Sequence, residues 1–236
     1  MLVVALVLLV SGCQSVPPSE ISVSPDSSVL AVNVAFPLPL SPDPVLTGVV
    51  FLKEPLDGRL EDATELVPAS WIKGSRAYLL DPEPGTYLVV AASSAVSVPS
   101  TSTSGSLGGG VTGSVSTGGA VGQTVILPAV MIQRTRTTIG PTRVEFAGAL
   151  QIRYWSSDRI NASTEFEDDL QRRIAELIRP GVTSKSGLAG QFTRTWMANL
   201  TKSSISNEAS DRERFLDDAL ADFGNSPWAE VIRSLD

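Results

Sequence analysis

The stretch RAYLLDPEPGTYLVVAA, at residues 76–92, decides the fold class of this chain. Both of its ends are rich in aromatic, aliphatic and β-branched residues, which favour extended strands. The five residues between them, DPEPG at 81–85, are mostly turn formers, because proline presets its backbone angles and glycine and aspartate tolerate unusual ones. The stretch therefore predicts two strands joined by a turn.

Short β-rich runs of the same kind lie on both sides of this stretch. They cover residues 29–36, 46–53, 123–127, 134–139, 142–146 and 149–154, with turn residues between them. Strands at this spacing, with no helical period between them, are typical of stacked antiparallel sheets rather than of alternating strands and helices. We therefore predict an antiparallel β-sandwich over residues 29–155.

The last third of the chain has a different pattern. Charged residues become denser after residue 154, and apolar residues recur at the helical spacing of three and four. The pattern predicts three to four amphipathic helices within residues 156–236. The first carries Phe166, Leu170 and Ile174; the second carries Leu188, Phe192, Trp196 and Leu200; the third ends at Gly224; and the fourth begins at Ser226 and Pro227. The predicted fold class is α+β.

The composition excludes several kinds of chemistry. The 236 residues include 18 basic and 25 acidic side chains, no histidine and one cysteine. Without histidine the chain cannot build a Ser-His-Asp triad or an imidazole metal site, and one cysteine cannot build a zinc cage or an internal disulfide. A net charge of −7 disfavours nucleic acid, whose phosphates need a basic surface. We predict no metal site, no cofactor site and no nucleic-acid partner.

The N-terminus contains an apolar run at residues 2–10. The run is shorter than the roughly 20 residues of a spanning helix, and it matches the roughly 7–15 apolar residues of a secretory signal. It ends in Val10-Ser11-Gly12-Cys13, which resembles the lipobox of bacterial lipoproteins. The resemblance implies that residues 1–12 are a signal peptide and that Cys13 carries a diacylglycerol thioether and an acyl chain such as palmitate.

The residues after the cysteine indicate where such a protein would be held. Gln14 stands where an aspartate would retain an enteric lipoprotein in the inner membrane, so the resemblance implies the outer membrane. Two or three acyl chains anchor stably, because each buried CH₂ contributes about 0.8 kcal/mol. Residues 13–28 are rich in serine and proline, and they are predicted to be the lipidated cysteine and an extended tether.

Two short motifs within the predicted sandwich carry a further resemblance. PGTY at 84–87 and FAGAL at 146–150 look like the paired strands of small prealbumin-like or immunoglobulin-like domains in bacterial lipoproteins. Such domains are mostly binding or assembly modules. The resemblance therefore implies a module of this kind over about residues 29–155.

One stretch departs from the composition of the rest. Residues 84–133 contain no Asp, Glu, Lys or Arg, and 93–122 is almost entirely Ser, Thr, Gly, Ala and Val. Ordering such a segment costs much conformational entropy, so the composition favours a long flexible loop. The alternative is a membrane-inserting hairpin with arms at 94–104 and 111–121, because a spanning strand needs about 9–11 residues. Pro99 interrupts the first arm.

Possible catalytic and metal-binding motifs are weak. Ser70 and Lys73 match the S-x-x-K motif of penicillin-recognising enzymes, in which both residues lie on one helix turn, but Ser70 has a turn-like setting and the middle motif of those enzymes is missing. Glu167, Asp168 and Asp169 are predicted to form a solvated face at a helix start, where acids suit the helix dipole. We predict no catalytic residue, and Cys13 is the one predicted modification site.

Together these patterns predict a non-enzymatic lipoprotein anchored to the outer membrane through Cys13. It would act as a protein-binding or assembly module that contacts other envelope proteins, whose identity the sequence does not give. The alternative is a subunit of an oligomeric membrane pore or secretion complex that uses the uncharged hairpin at 94–121.

Overall fold

The computed structural model describes residues 23–24, 26–37, 44–54, 65–107, 111–153, 165–178, 194–224 and 226–233. The strands are β1 (Val29–Ala35), β2 (Val45–Lys53), β3 (Glu65–Pro68), β4 (Trp71–Lys73), β5 (Arg76–Leu80), β6 (Gly85–Leu107), β7 (Val111–Ile126), β8 (Thr137–Ile139), β9 (Val144–Gln151), β10 (Arg194–Met197) and β11 (Ser204–Ser206). The helices are α1 (Ala129–Arg134), α2 (Glu165–Ile178), α3 (Ala209–Phe223) and α4 (Pro227–Arg233).

The strands form two sheets. The first has the order β11-β9-β1-β5-β4, and the second has the order β10-β7-β6-β2-β3, with β8 added beside β6. All pairs are antiparallel except β1 with β9 and β7 with β10. Two mostly antiparallel sheets and mainly C-terminal helices confirm the predicted α+β class.

The stretch at 76–92 forms β5, a turn and the start of β6, as predicted. Asp81 has a φ of 53°, a left-handed conformation that aspartate tolerates better than most residues. The two strands do not pair with each other, because β5 lies between β1 and β4 whereas β6 lies between β2 and β7. The turn therefore carries the chain from the first sheet to the second.

The first sheet is buried on both faces. Leu30 and Val32 of β1 belong to a large apolar cluster that also contains Phe51 of β2 and Leu88 of β6. The alternate residues of β1, including Val29, belong to a second cluster that contains apolar residues of α3 and α4. Burying a large apolar side chain contributes about 1.5–3 kcal/mol, so both clusters stabilise the sheet.

Helix α2 packs on the larger cluster through Leu170 and Ile174, which follow the predicted periodicity. The prediction of a solvated face is wrong for Glu167, whose side chain is buried. Its Oε1 accepts a hydrogen bond from the backbone N–H of Ala129 at 3.0 Å. This hydrogen bond satisfies a backbone N–H in the first turn of α1, which has no acceptor within the helix. Pro128 at the N-cap provides no side-chain hydrogen bond for it.

The C-terminal third is not entirely helical. Residues 194–197 form β10, which pairs with β7 in parallel, so the predicted second helix is wrong at Trp196. The open edge of β7 offers backbone hydrogen bonds to this short segment, and such pairing overrides a helical period of apolar residues. Strand β11 likewise pairs with β9. The predicted helix end at Gly224 and helix start at Pro227 are confirmed.

Two boundaries in the middle of the chain also differ from prediction. The run 134–139 is a strand only at Thr137–Ile139, because α1 occupies the residues before it. The runs predicted at 142–146 and 149–154 form a single strand, β9, with a bulge opposite β1 near Gly148. Gly148 has a φ of +119°, and a Cβ there would lie 3.0 Å from the carbonyl oxygen of Ser206. Glycine lets β9 continue where the pattern suggested a break.

The body of the protein begins before residue 29. Ser27 and Ser28 are buried, and Val23 packs against the second cluster. The last residues of the predicted tether therefore belong to the folded body. Cys13, the predicted signal peptide and residues 14–22 lie outside the described residues.

Candidate functional site

Strands β6 and β7 continue as a pair far past the other strands of their sheet. Strand β2 accompanies β6 as far as Ala95, and β10 accompanies β7 only along residues 123–126. The antiparallel pairing of β6 with β7 continues to Leu107 opposite Val111. We call the projecting part, residues 96–107 and 111–121, the ribbon.

Both outer edges of the ribbon lack a neighbouring strand within the part of the chain that the structure describes. An isolated two-stranded hairpin is marginally stable in water, and open strand edges are templates for further pairing. Natural edge strands are commonly protected by charged side chains, but no charged residue lies between residues 84 and 133. Within the described part of the chain, the ribbon therefore has two unpaired edges with no charged residue of their own.

The composition of residues 93–122 favoured a flexible loop, and this prediction is wrong where the two strands pair. Val98 pairs with Gly119 and Thr101 pairs with Thr117, so two residues of β6, Pro99 among them, lie opposite one residue of β7. A bulge tolerates proline, because residues in it need not donate to the ladder. The strands leave the sheet already aligned, so no separate loop closure is needed to begin their pairing.

The register of the ribbon sorts its sequence into two kinds of position. Ser102, Ser104 and Ser106 of β6 lie opposite Ser116, Ser114 and Thr112 of β7. The positions between them pair Thr103 with Val115, Gly105 with Gly113 and Leu107 with Val111. The register therefore pairs hydroxyl-bearing residues with one another at every second position from 102 to 106.

Charged side chains cluster at the opposite end of the same sheet. Lys53, the last residue of β2, donates to Glu83 and lies 3.6 Å from Glu65, measured from Nζ to Oε2. The hydrogen bond from Lys53 lowers the pKa of the Glu83 carboxyl. Beside this pair, Arg136 Nε donates to Glu54 Oε2 at 2.9 Å. The charges therefore lie where β6 begins, and the ribbon lies where β6 ends.

The N-terminal entry point of the described body lies at the charged end. Val29 pairs with Leu80, which is five residues before β6 begins. At about 3.3 Å per residue, the base of the ribbon lies about 35 Å further along β6 and its tip about 70 Å. The entry point and the ribbon tip are thus separated by the length of β6.

A polar cluster fixes α3 against the first sheet. Arg76 donates from Nε to Asp222 Oδ2 at 2.5 Å and from Nη2 to Oδ1 at 2.7 Å. The Oη of Tyr78 donates to the same Oδ2 at 2.7 Å. Burial raises the pKa of Tyr78 well above its usual range, and the hydrogen bond to Asp222 adds to this effect. Three hydrogen bonds on one mostly buried carboxylate give this cluster a structural role in attaching α3.

Aromatic rings surround this polar cluster. Tyr78 stacks on Trp71 with a centroid distance of 5.1 Å and meets the edge of Phe223 at 4.9 Å. Phe215 stacks on Phe146 at 4.7 Å. Such pairs add about 0.5–1.5 kcal/mol each beyond area burial, so α3 is firmly attached to the sheet.

A cavity of about 330 Å³ lies between α3 and the strands β1, β9 and β11. Four of its charged groups form ion pairs, since Arg76 Nη1 lies 3.1 Å from Asp218 and Arg214 Nη1 lies 3.9 Å from Asp211, and Glu208 adds a further carboxylate to the lining. The Oδ1 of Asn33, also at the cavity, is buried without a hydrogen-bond partner. The two arginines of the lining are therefore engaged by carboxylates of the same cavity.

The structure places Ser70 and Lys73 in a setting unlike that of the penicillin-recognising enzymes. Lys73 ends β4 rather than lying one helix turn after Ser70, and Ser70 Oγ accepts a hydrogen bond from the N–H of Leu80 at 3.1 Å. Among the described residues, no group of acidic, histidine or cysteine side chains is close enough to hold a metal ion. None of the helices described has the length and apolar character needed to cross a membrane.

Comparisons with protein-family models, with curated proteins and with solved structures find no match to this chain.

Proposed function

We propose that this protein is a non-enzymatic, lipid-anchored envelope protein of bacteria that serves as an assembly module at the outer membrane. The observation that carries the proposal is the ribbon, a long uncharged strand pair with two open edges. A partner can add a strand to such an edge, because the backbone hydrogen bonds between the two strands supply the affinity.

The proposal includes a β-sandwich as the architecture of the body. Leu30 of the first sheet and Leu88 of the second belong to one apolar cluster, as expected when the inner faces of two sheets pack together. A sandwich of this kind supports the resemblance to binding domains of bacterial lipoproteins. It would give the ribbon a rigid base.

The proposed anchor is the acylated Cys13. The ten residues from Cys13 to Val23 span at most about 35 Å when fully extended. The lipid would hold the charged end of the body near the bilayer, and the ribbon would then point away from it. The expected result is that an alkyne fatty acid labels the wild-type protein and fails to label Cys13→Ala, and retained label on the variant would contradict the anchor.

The assembly role is tested by shortening the ribbon. Replacing residues 97–120 by Asn-Gly joins Val96 to Val121, which face each other in the hairpin, through a two-residue turn. We expect the acylated variant to lose the partners that wild-type protein retains in a pull-down from native envelopes. A variant with Lys53→Ala, at the opposite end of the sheet, should retain them. Unchanged partners in the shortened variant would refute the role of the ribbon.

A second candidate function is a subunit of an oligomeric membrane pore or secretion complex. The observation that favours it is that β6 and β7 pair over both predicted arms, which have the length of a spanning strand. Insertion beside the protein's own anchor would require a fully extended tether, because the ribbon base lies about as far from the entry point as the extended tether reaches. Protease cleavage within 93–122 tests this function, because insertion predicts protection in liposomes but not in detergent, and equal cleavage would refute it.

A further inference from the structure

We propose that the partner of the ribbon is the ribbon of a second copy of this chain. The inference rests on the proposed assembly function and deepens it by naming the partner. The outer edge of 96–107 in one copy would pair with the outer edge of 111–121 in the next, so that the sheet continues from copy to copy.

The polarity of the strands supports this arrangement. Residues 96–107 and 111–121 run antiparallel within one chain, so the strand that continues the pattern beside 96–107 must run like 111–121. A second copy supplies such a strand. Pairing two identical β6 edges about a twofold axis would leave both β7 edges open, whereas head-to-tail pairing covers both edges of every copy in a closed ring.

The distribution of charge also favours a second copy. Each chain carries a net charge of −7, so two bodies repel each other at close range. The ribbon contains no charged residue, and its tip lies about 70 Å from the start of β6. Two copies that meet at their ribbons therefore repel each other less than two copies that meet at their charged bodies.

The residues of the ribbon suit close pairing of several identical strands. Most of them are Ser, Thr, Gly or Val, which lack the bulk that would keep neighbouring strands apart. Pro99 lies at the bulge, so the missing N–H falls where the ladder is already interrupted.

Mixed disulfides between two tagged forms of the full, acylated chain test the inference. One form carries a single new cysteine in β6, at Ser102, Thr103 or Ser104, and the other form carries one in β7, at Ser114, Val115 or Ser116. Mild oxidation of the co-expressed forms should join the two tags in some of these combinations. The control replaces the exposed Glu213 of α3 by cysteine and should give no joined product.

The other outcomes each decide against the inference. Disulfides between two β6 cysteines in place of β6–β7 disulfides would show twofold pairing and overturn the head-to-tail arrangement. If a photoreactive residue at Ser104 attaches only to other envelope proteins, the second-copy inference fails and the assembly function stands. If it attaches to no protein in native envelopes, the inference and the proposed function both fail.

Discussion

Helix α3 and the ribbon differ in how many contacts hold them within the same molecule. At α3, Asp222 receives three hydrogen bonds, and aromatic rings enclose the group. In the ribbon, each strand has one described neighbour, the other strand of the same hairpin. The first region is held by specific contacts inside the chain. Along its outer edges the second pairs with no other strand that the structure describes, and we therefore propose that the function depends on it.

The largest effect is expected at the attachment of α3. Asp222→Ala removes the acceptor of the Tyr78 hydroxyl and leaves Arg76 with the half-exposed Asp218 as its remaining described partner. The site is mostly buried, because the side chain of Asp222 is only 6% exposed. Removing one partner of such a pair costs about 3–5 kcal/mol. Urea denaturation of the full chain measures this loss in the free energy of unfolding.

Asp218 provides a matched control for that change. Its carboxylate also contacts Arg76, at 3.1 Å, but its side chain is 47% exposed. Asp218→Ala should cost less than about 1 kcal/mol, because water screens exposed ion pairs. Equal losses in the two variants would show that burial does not distinguish the two contacts.

A smaller effect is expected where α2 meets α1. Glu167→Ala removes the acceptor of the Ala129 N–H at the start of α1, where a hydrogen bond to a charged group contributes about 1.5–3 kcal/mol. Glu165→Ala, an exposed change in the same helix turn, should stay within about 0.5 kcal/mol of wild type. Thermal unfolding followed by circular dichroism compares the two, and similar midpoints would contradict the capping role of Glu167.

The dependence of stability on alkaline pH should reveal the burial of Tyr78. Its pKa is raised in the folded protein, so the unfolded chain loses the phenolic proton first, near pH 10. Stability is then complete below about pH 10 and falls above it, by at most about 1.4 kcal/mol per pH unit for one group. Tyr78→Phe should flatten this fall in urea titrations at pH 9–11. An unchanged slope would refute the raised pKa.

The smallest effect on stability is expected in the ribbon. Replacing residues 97–120 by Asn-Gly should change the free energy of unfolding of the body by less than about 0.5 kcal/mol, because no described core residue is removed. Val125→Ala, in the same strand but inside the sheet and fully buried, should cost about 1–3 kcal/mol. A large loss on shortening would mean that the ribbon stabilises the body, and it would weaken the contrast with α3.

Part of the candidate site was visible in the sequence. The absence of charge over residues 84–133 and the two arms of suitable length pointed to a hairpin. The pattern could not show that the arms pair, because Ser and Gly, which make up much of both arms, have weak strand propensity and the arms continue strands of a sheet that the local sequence does not specify. Pro99 seemed to break the first arm, yet a bulge opposite β7 accommodates it.

The sequence by itself determined the α+β class, the turn after Leu80 and the helix boundaries at Gly224 and Pro227, because these depend on residues close together in the chain. Only the tertiary structure decided that Trp196 lies in a strand, that Glu167 is buried and that β5 and β6 belong to different sheets. Each of those outcomes depends on a partner distant in sequence: the edge of β7, the start of α1 and the two neighbouring sheets. Local periodicity carries no information about such partners, and the backbone hydrogen bonds they offer outweigh it.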